Sequence, residues 1–162
     1  MVWSYKGKFV SSMEDVPEGA IGFIYKICDG DQRCYIGKKS LFSLKNKEVS
    51  KNVYDKAKSE GKKVLKTKNK AKSKSGVGGT VWRYKVEEIK ESNWLTYNSS
   101  NLELKKRKDI SVREIIDFAY SKQELTYLET KYQMQYSVLE SDSWYNDNIL
   151  GKFFSGVINK NK

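Results

Sequence analysis

Residues 21–39 read IGFIYKICDGDQRCYIGKK. Ile21, Phe23, Tyr25 and Ile27 alternate with Gly22, Ile24, Lys26 and Cys28. The stretch is rich in β-branched and aromatic residues, as a buried strand prefers. Asp29, Gly30 and Asp31 supply a turn, because Gly takes positive φ freely and Asp tolerates it. Cys34, Tyr35 and Ile36 then form a short second strand that Gly37 closes. The predicted hairpin sets Tyr25 and Tyr35 on paired strands, and Lys38 and Lys39 follow at once.

Composition narrows the chemistry available to such a hairpin. The chain has 162 residues, enough for one domain with a real core. No apolar run approaches the length of a membrane span, and the first residues, MVWSYKGKFVSS, lack the apolar core of a signal peptide. The expectation is a cytoplasmic protein with no membrane partner. Its two cysteines, Cys28 and Cys34, flank the turn and read as small buried hydrophobes in a reducing compartment. There is no histidine, which excludes Ser-His-Asp and Cys-His catalysis, His-metal nucleases and Cys/His zinc fingers. Any proton transfer must use Tyr, Lys, Asp, Glu or metal-bound water.

The net charge of +11 is concentrated. Residues 38–75 hold 14 lysines against Glu48, Asp55 and Glu60, so this segment carries the whole excess and the remainder is neutral. A polyphosphate such as duplex DNA is the natural partner, since lysine contacts release counterions from nucleic acid. Lys38, Lys47, Lys62, Lys63, Lys66, Lys68, Lys70, Lys72 and Lys74 are the expected DNA contacts.

Outside the hairpin, residues 1–20 form an N-terminal arm in which Trp3, Tyr5, Phe9 and Val10 pack on the domain. A turn at Pro17, Glu18 and Gly19 follows. Val49, Val53 and Ala57 at a four-residue repeat predict a helix over 47–60, ended by Gly61. Residues 62–79 are lysine-rich, end in SKSGVGG and carry almost no large apolar side chains, so no fixed structure is expected there. Residues 81–89, VWRYKVEEI, have features of both strand and helix. A turn follows at 93–101. Ser100 with Glu103 makes a capping box for a short helix over 101–108. Residues 110–119 alternate as a strand. Ser121 with Glu124 opens a long helix from 122 to about 139, and residues 143–162 are irregular, anchored by Trp144, Tyr145, Phe153 and Phe154.

In the long helix, Leu125, Leu128, Tyr132, Tyr136 and Leu139 make an apolar stripe, and Glu129 falls inside it. An inward carboxylate needs a partner or a cation.

These residues resemble the GIY-YIG nucleases. Phe23-Ile24-Tyr25 stands where that family has Gly-Ile-Tyr, with Gly22 one place early, and Tyr35-Ile36-Gly37 matches the second half outright. The segments NSSNLELKK, ISVREIIDFAY and ELTYLETKYQ resemble the family's later helix, strand and helix, which puts Glu129 at the metal-binding Glu. Tyr145-Asn146 is similar to a closing element that carries an Asn. The resemblance covers 21–39 and about 94–148. It implies one α/β (α+β) domain with a three-stranded, mainly antiparallel sheet at 21–27, 33–37 and 110–119, flanked by helices. The basic segment at about 45–93 looks like an insertion.

The resemblance implies a metal-dependent DNA endonuclease. Glu129 would hold Mg²⁺ or Mn²⁺, Tyr25 would be the base with Tyr35 as its partner, and Asn146 would orient the phosphate or Glu129. Lys38, Lys39 and an arginine would supply the positive charge that lowers a tyrosine pKa. The family usually places an Arg on a helix about ten residues after the second tyrosine, where this chain has Lys45. Arg83 is the alternative, as the single arginine between Arg33 and Arg107. Lys does not replace Arg where a bidentate phosphate contact is needed. A restriction, phage or mobile-element role in a bacterial host, or a homodimer, is compatible with this reading. Two rivals stand beside it. One is a non-catalytic DNA-binding protein that keeps the fold. The other is an E-x-K nuclease using Asp117, Glu129 and Lys131, but on a helix Lys131 lies about 200° from Glu129 and cannot share its site.

Overall fold

The computed structural model describes residues 2–70 and 80–157. Two compact units emerge, one from Met1–Leu41 with Ser92–Lys162 and one from Phe42–Glu91.

The first unit is an α+β domain built on a five-stranded sheet. Its strands are β1 (Trp3–Tyr5), β2 (Lys8–Val10), β3 (Gly22–Asp29), β4 (Cys34–Ser40) and β8 (Ile110–Ala119), in the order β2-β1-β8-β3-β4. Pairing is antiparallel except for β1 beside β8. The hairpin β3–β4 with β8 is the expected three-stranded core. The N-terminal arm adds two strands, because Trp3 and Val10 turn inward at 0% and 2% exposure. Phe9 does not pack: alternation along β2 turns it outward, at 79% exposure.

The two faces of this sheet bury different sets. On one, Phe23, Tyr25 and Ile27 pack with Trp3, Trp94, Leu104 and Ile115. On the other, Ile24 and Ile36 pack with Leu125 and Leu128 of α3 (Lys122–Gln135). Gly22 lets α3 come close, since a Cβ there would lie 2.7 Å from the Lys39 carbonyl and 2.9 Å from Leu125 Cδ2. Ser121 caps α3 by accepting from the Glu124 N–H, but the Glu124 carboxylate accepts from Tyr120 N–H. The helix ends at Gln135, and Ser137 has φ +49°. Val138 and Leu139 are therefore buried by a loop, and Tyr136 is exposed.

Several local expectations need correction. α2 is Leu102–Lys106, and its N-cap is Asn101, which accepts from the Leu104 N–H; Ser100 is not the cap. Within 93–101, Trp94 opens a 3-10 turn (Trp94–Thr96) and is fully buried, its carbonyl accepting from Trp3 Nε1. Phe153 and Phe154 are about half exposed on β10 (Phe153–Phe154), which pairs with β9 (Asn148–Ile149), so they are not anchors. Cys28 and Cys34 are not free thiols. The β3–β4 register sets them opposite each other, with Cα atoms 4.0 Å apart, and they form a disulfide.

The second unit is a three-stranded antiparallel sheet of β5 (Phe42–Val49), β6 (Val64–Lys70) and β7 (Thr80–Glu91), in the order β5-β7-β6, with α1 (Lys51–Ser59). Helix over 47–60 begins late because Val49 pairs with Tyr84 as the end of β5. The lysine run 64–70 is a strand because all seven residues pair along β7. Register with two partners also resolves 81–89 as strand. Residues 71–79, with Lys72 and Lys74, lie outside the described residues, and so does the Lys70 side chain.

Candidate active site

β4 is an edge strand, and its free edge is covered in an unusual way. Cys34 N–H donates to the Ser143 carbonyl and Tyr145 N–H donates to the Cys34 carbonyl, so the closing segment runs parallel to β4 there. Asn146 continues the pairing with its side chain. Its Oδ1 accepts from Ile36 N–H at 3.0 Å and its Nδ2 donates to the Ile36 carbonyl at 2.8 Å. Gln133 Nε2 donates to the same carbonyl. Asn146 thus holds the edge strand, and both ends of its amide are engaged by backbone. Asp29, 1% exposed, fixes the same segment from the turn, accepting from the Tyr145 hydroxyl and from the Asp31 and Arg33 N–H groups. Burial pushes the Asp29 carboxyl up, but these donors and the Arg107 guanidinium outweigh it and hold it below the usual range.

Beside this covered edge lies an open, polar cavity of about 350 Å³. Tyr35, Ser100 and Asn101 line it from one side of the sheet, and Lys38, Glu129 and Gln133 from the other. Asn146, Asp147 and Asn148 close the rim. Lys38 Nζ lies 3.0 Å from Glu129 Oε2 and donates to Thr126 Oγ1 at 3.0 Å. The Glu129 side chain is 17% exposed. Tyr35 Oη and Ser100 Oγ share a 2.8 Å hydrogen bond. Burial pushes the Tyr35 phenol up; the Ser100 bond opposes this, while the charges of Glu129 and Asp147 add to it.

Tyr25 stands behind this cavity and does not line it. It is fully buried, with Tyr35 and Tyr97 ring centroids at 6.1 and 5.8 Å. Its hydroxyl makes no hydrogen bond of good geometry among the described residues, although Tyr97 and Ser100 are near enough to influence it. Burial drives its pKa well above the ordinary value. Gly37 sits opposite Tyr25, and a Cβ there would lie 2.6 Å from the Tyr25 hydroxyl and 2.7 Å from Tyr35 Cε1. The glycine of Tyr35-Ile36-Gly37 is therefore the space in which the two tyrosines meet.

A model of the family described as "Putative endonuclease segE, GIY-YIG domain" matches residues 3–149. The chain belongs to the GIY-YIG nuclease family. No curated protein and no solved structure matches it.

Of the candidate residues, Tyr35, Glu129 and Asn146, read from the GIY-YIG resemblance, and Lys38, read from the charge as a DNA contact, are brought together at the cavity. Lys39 points away from it, donating to Asn93 Oδ1 at 2.8 Å and lying 4.3 Å from the Tyr97 ring centroid; burial lowers its pKa. Arg83 and Lys45 lie on strands of the second unit, not on a helix, and Arg83 pairs with Glu48 at 2.9 Å. Lys62 pairs with Glu60 and Lys63 with Glu87 in that unit. Sequence reasoning missed Ser100 and Asp147 at the cavity, and Thr126 as the acceptor of the Lys38 ammonium. Thr126 had a signal, lying one helical turn before Glu129. Ser100 had one that pointed elsewhere, to a cap. Glu129-Thr130-Lys131 stays on α3, so the E-x-K arrangement does not form.

Proposed function

We propose that this GIY-YIG domain is a metal-dependent endonuclease that hydrolyses phosphodiester bonds of duplex DNA, with the cavity beside β4 as its reaction centre. The observation that carries the reading is the convergence of a phenol, an ammonium and a carboxylate, Tyr35, Lys38 and Glu129, on one open polar cavity.

The residues fit a hard divalent cation, Mg²⁺ or Mn²⁺. Glu129 presents a carboxylate to a polar space that Asp147 also lines. Among the described residues no group of three Asp, Glu, His or Cys side chains is gathered, which suits an ion that keeps most of its waters. When bound, such an ion neutralises charge on the scissile phosphate.

The chain's own residues supply the rest. Lys38 offers its ammonium to the phosphate that enters beside Glu129, and takes the electrostatic role that the family gives to an arginine. Tyr35, once it has released its own proton to solvent, accepts the proton of the attacking water as the phenolate, the role that the resemblance gives to Tyr25, because Tyr35 and not Tyr25 reaches the cavity. A phenol held above its ordinary pKa needs adjacent positive charge to do this. Lys38, which lines the same cavity from the other side of the sheet, supplies part of it. Ser100 orients the Tyr35 hydroxyl. Asn146 holds β4 in place and keeps Tyr35 and Lys38 in register. The lysines of Phe42–Glu91 contact the DNA backbone.

A second reading, a DNA-binding protein that keeps the fold without cleaving, is favoured by the Lys38–Glu129 pair and by a cavity wall without arginine. Incubating plasmid and phage DNA with the protein, with and without Mg²⁺ or Mn²⁺, separates the two. Cleavage that requires the ion supports the nuclease, and end sequencing then gives the site. Tight binding with intact DNA at every ion concentration leaves the second reading.

A further inference from the structure

The second unit carries an aromatic side chain that its own packing does not explain. On β7, Trp82 stands opposite Lys68 and Tyr84 opposite Lys66, so all four side chains share one face of the sheet. Tyr84 has a structural use, with the Tyr54 ring of α1 5.0 Å away. Trp82 is 44% exposed at that face. Lys66 Nζ lies 4.1 Å and Lys68 Nζ 5.4 Å from its ring centroid. Val86 and Glu88, next on the same face of β7, have Lys47 and Lys45 as their β5 partners.

We infer that Trp82 is a stacking platform for an unpaired base, and that this face of Phe42–Glu91 binds single-stranded DNA. The inference rests on DNA being the ligand of the domain, and adds a second, non-catalytic contact to it. Charge complementarity selects the occupant: an exposed indole bordered by ammonium groups offers a π-face for a base and cations for the phosphates on either side of it. A base-paired duplex keeps its bases stacked on each other, so it would use the lysines and leave the indole idle.

The test is binding of fluorescein-labelled 20-mer oligothymidylate and of a 20-bp duplex to the full chain. It is done in EDTA, with a gel confirming that the DNA is uncut. Trp82→Ala should weaken oligothymidylate binding by about tenfold to a hundredfold. It should leave duplex binding within about twofold, and Trp82→Phe should restore most of the loss. Indole fluorescence should be quenched by oligothymidylate in wild type and much less in Trp82→Ala. Circular dichroism shows whether the variants keep the fold. Equal loss on both DNAs, or no loss on either, overturns the platform. So does a Trp82-dependent capture of a protein partner with oligothymidylate binding unchanged. Cleavage assays run separately keep the two readings apart. Trp82-dependent binding without any cleavage supports the platform and ends the nuclease reading. Cleavage with Trp82-independent binding does the reverse.

Discussion

Lys38 Nζ lies 3.0 Å from Glu129 Oε2, joining the edge strand to α3 across the mouth of the cavity. The carboxylate proposed to hold a cation therefore has an ammonium on it in the free protein. Such a pair, partly open to solvent, contributes about 1 kcal/mol or less. Lys38 keeps its bond to Thr126 if Glu129 loses its charge. Glu129→Gln should thus change the melting temperature little. It should abolish ion-dependent cleavage and leave DNA binding unchanged or tighter. Normal turnover by a folded Glu129→Gln protein would end the proposed mechanism.

Tyr25 and Tyr35 should separate cleanly. A buried hydroxyl with no hydrogen bond of good geometry costs roughly 1–3 kcal/mol, and Tyr25 makes none among the described residues, so Tyr25→Phe should leave the fold as stable or more so, with cleavage within a few-fold of wild type. Tyr35→Phe removes the proposed proton acceptor and should lower cleavage by about 10²–10⁴-fold in a folded protein. The same rate loss from Tyr25→Phe would return the role of base to Tyr25.

Gly37→Ala should be among the most damaging small substitutions. The added carbon meets the Tyr25 hydroxyl and the Tyr35 ring at 2.6 and 2.7 Å, between two packed strands. Overpacking of this kind costs about 1–3 kcal/mol or more. Combining it with Tyr25→Phe should recover only part of the loss, because Tyr25 Cζ, at 2.8 Å, remains in the way. Denaturant midpoints of the two singles and the double measure this. Full recovery would show that the hydroxyl alone fills the space.

Stability should fall on the alkaline side. Burial raises the phenol pKa values of Tyr25, Tyr35 and Tyr145, and burial with the Asp117 hydrogen bond pushes Tyr132 up to about 12. A phenol favoured in its neutral form by folding contributes stability that is fully present below its unfolded pKa, near 10. That stability is lost as pH rises through the folded value. The urea midpoint should therefore hold up to about pH 10 and decline from there to about pH 12. Tyr132→Phe should make the decline shallower. A midpoint that rises with pH across that window would contradict these assignments.

The Cys28–Cys34 bridge closes a short loop, with a sequence separation of six. Loop-closure entropy for such a ring corresponds to about 2 kcal/mol. Reduction by dithiothreitol, or Cys28→Ser with Cys34→Ser, should lower the melting temperature by an amount of that order. Identical melting curves in both states would show that the hairpin register alone holds the two strands.

The sequence by itself determined the hairpin, the strand Ile110–Ala119, the helix that carries Glu129 and the family. Each of these rests on local periodicity, turn chemistry or the Tyr35-Ile36-Gly37 pattern. Glu129 was legible because helical phase alone turns it inward. Tertiary structure decided what local pattern cannot encode. Which tyrosine reaches the cavity depends on the depth at which Phe23, Tyr25 and Ile27 are buried against Trp3 and Trp94, residues 20 and 67 or more positions away in the chain. Asn146 became a backbone clamp because it meets the free edge of β4, 110 residues earlier. Ser100 left its expected cap for the Tyr35 hydroxyl, since Asn101 was placed to accept from Leu104. The lysine run 64–70 is a strand because β7 lies beside it: polar side chains give no inward face for a pattern to show, and backbone pairing alone fixes the register.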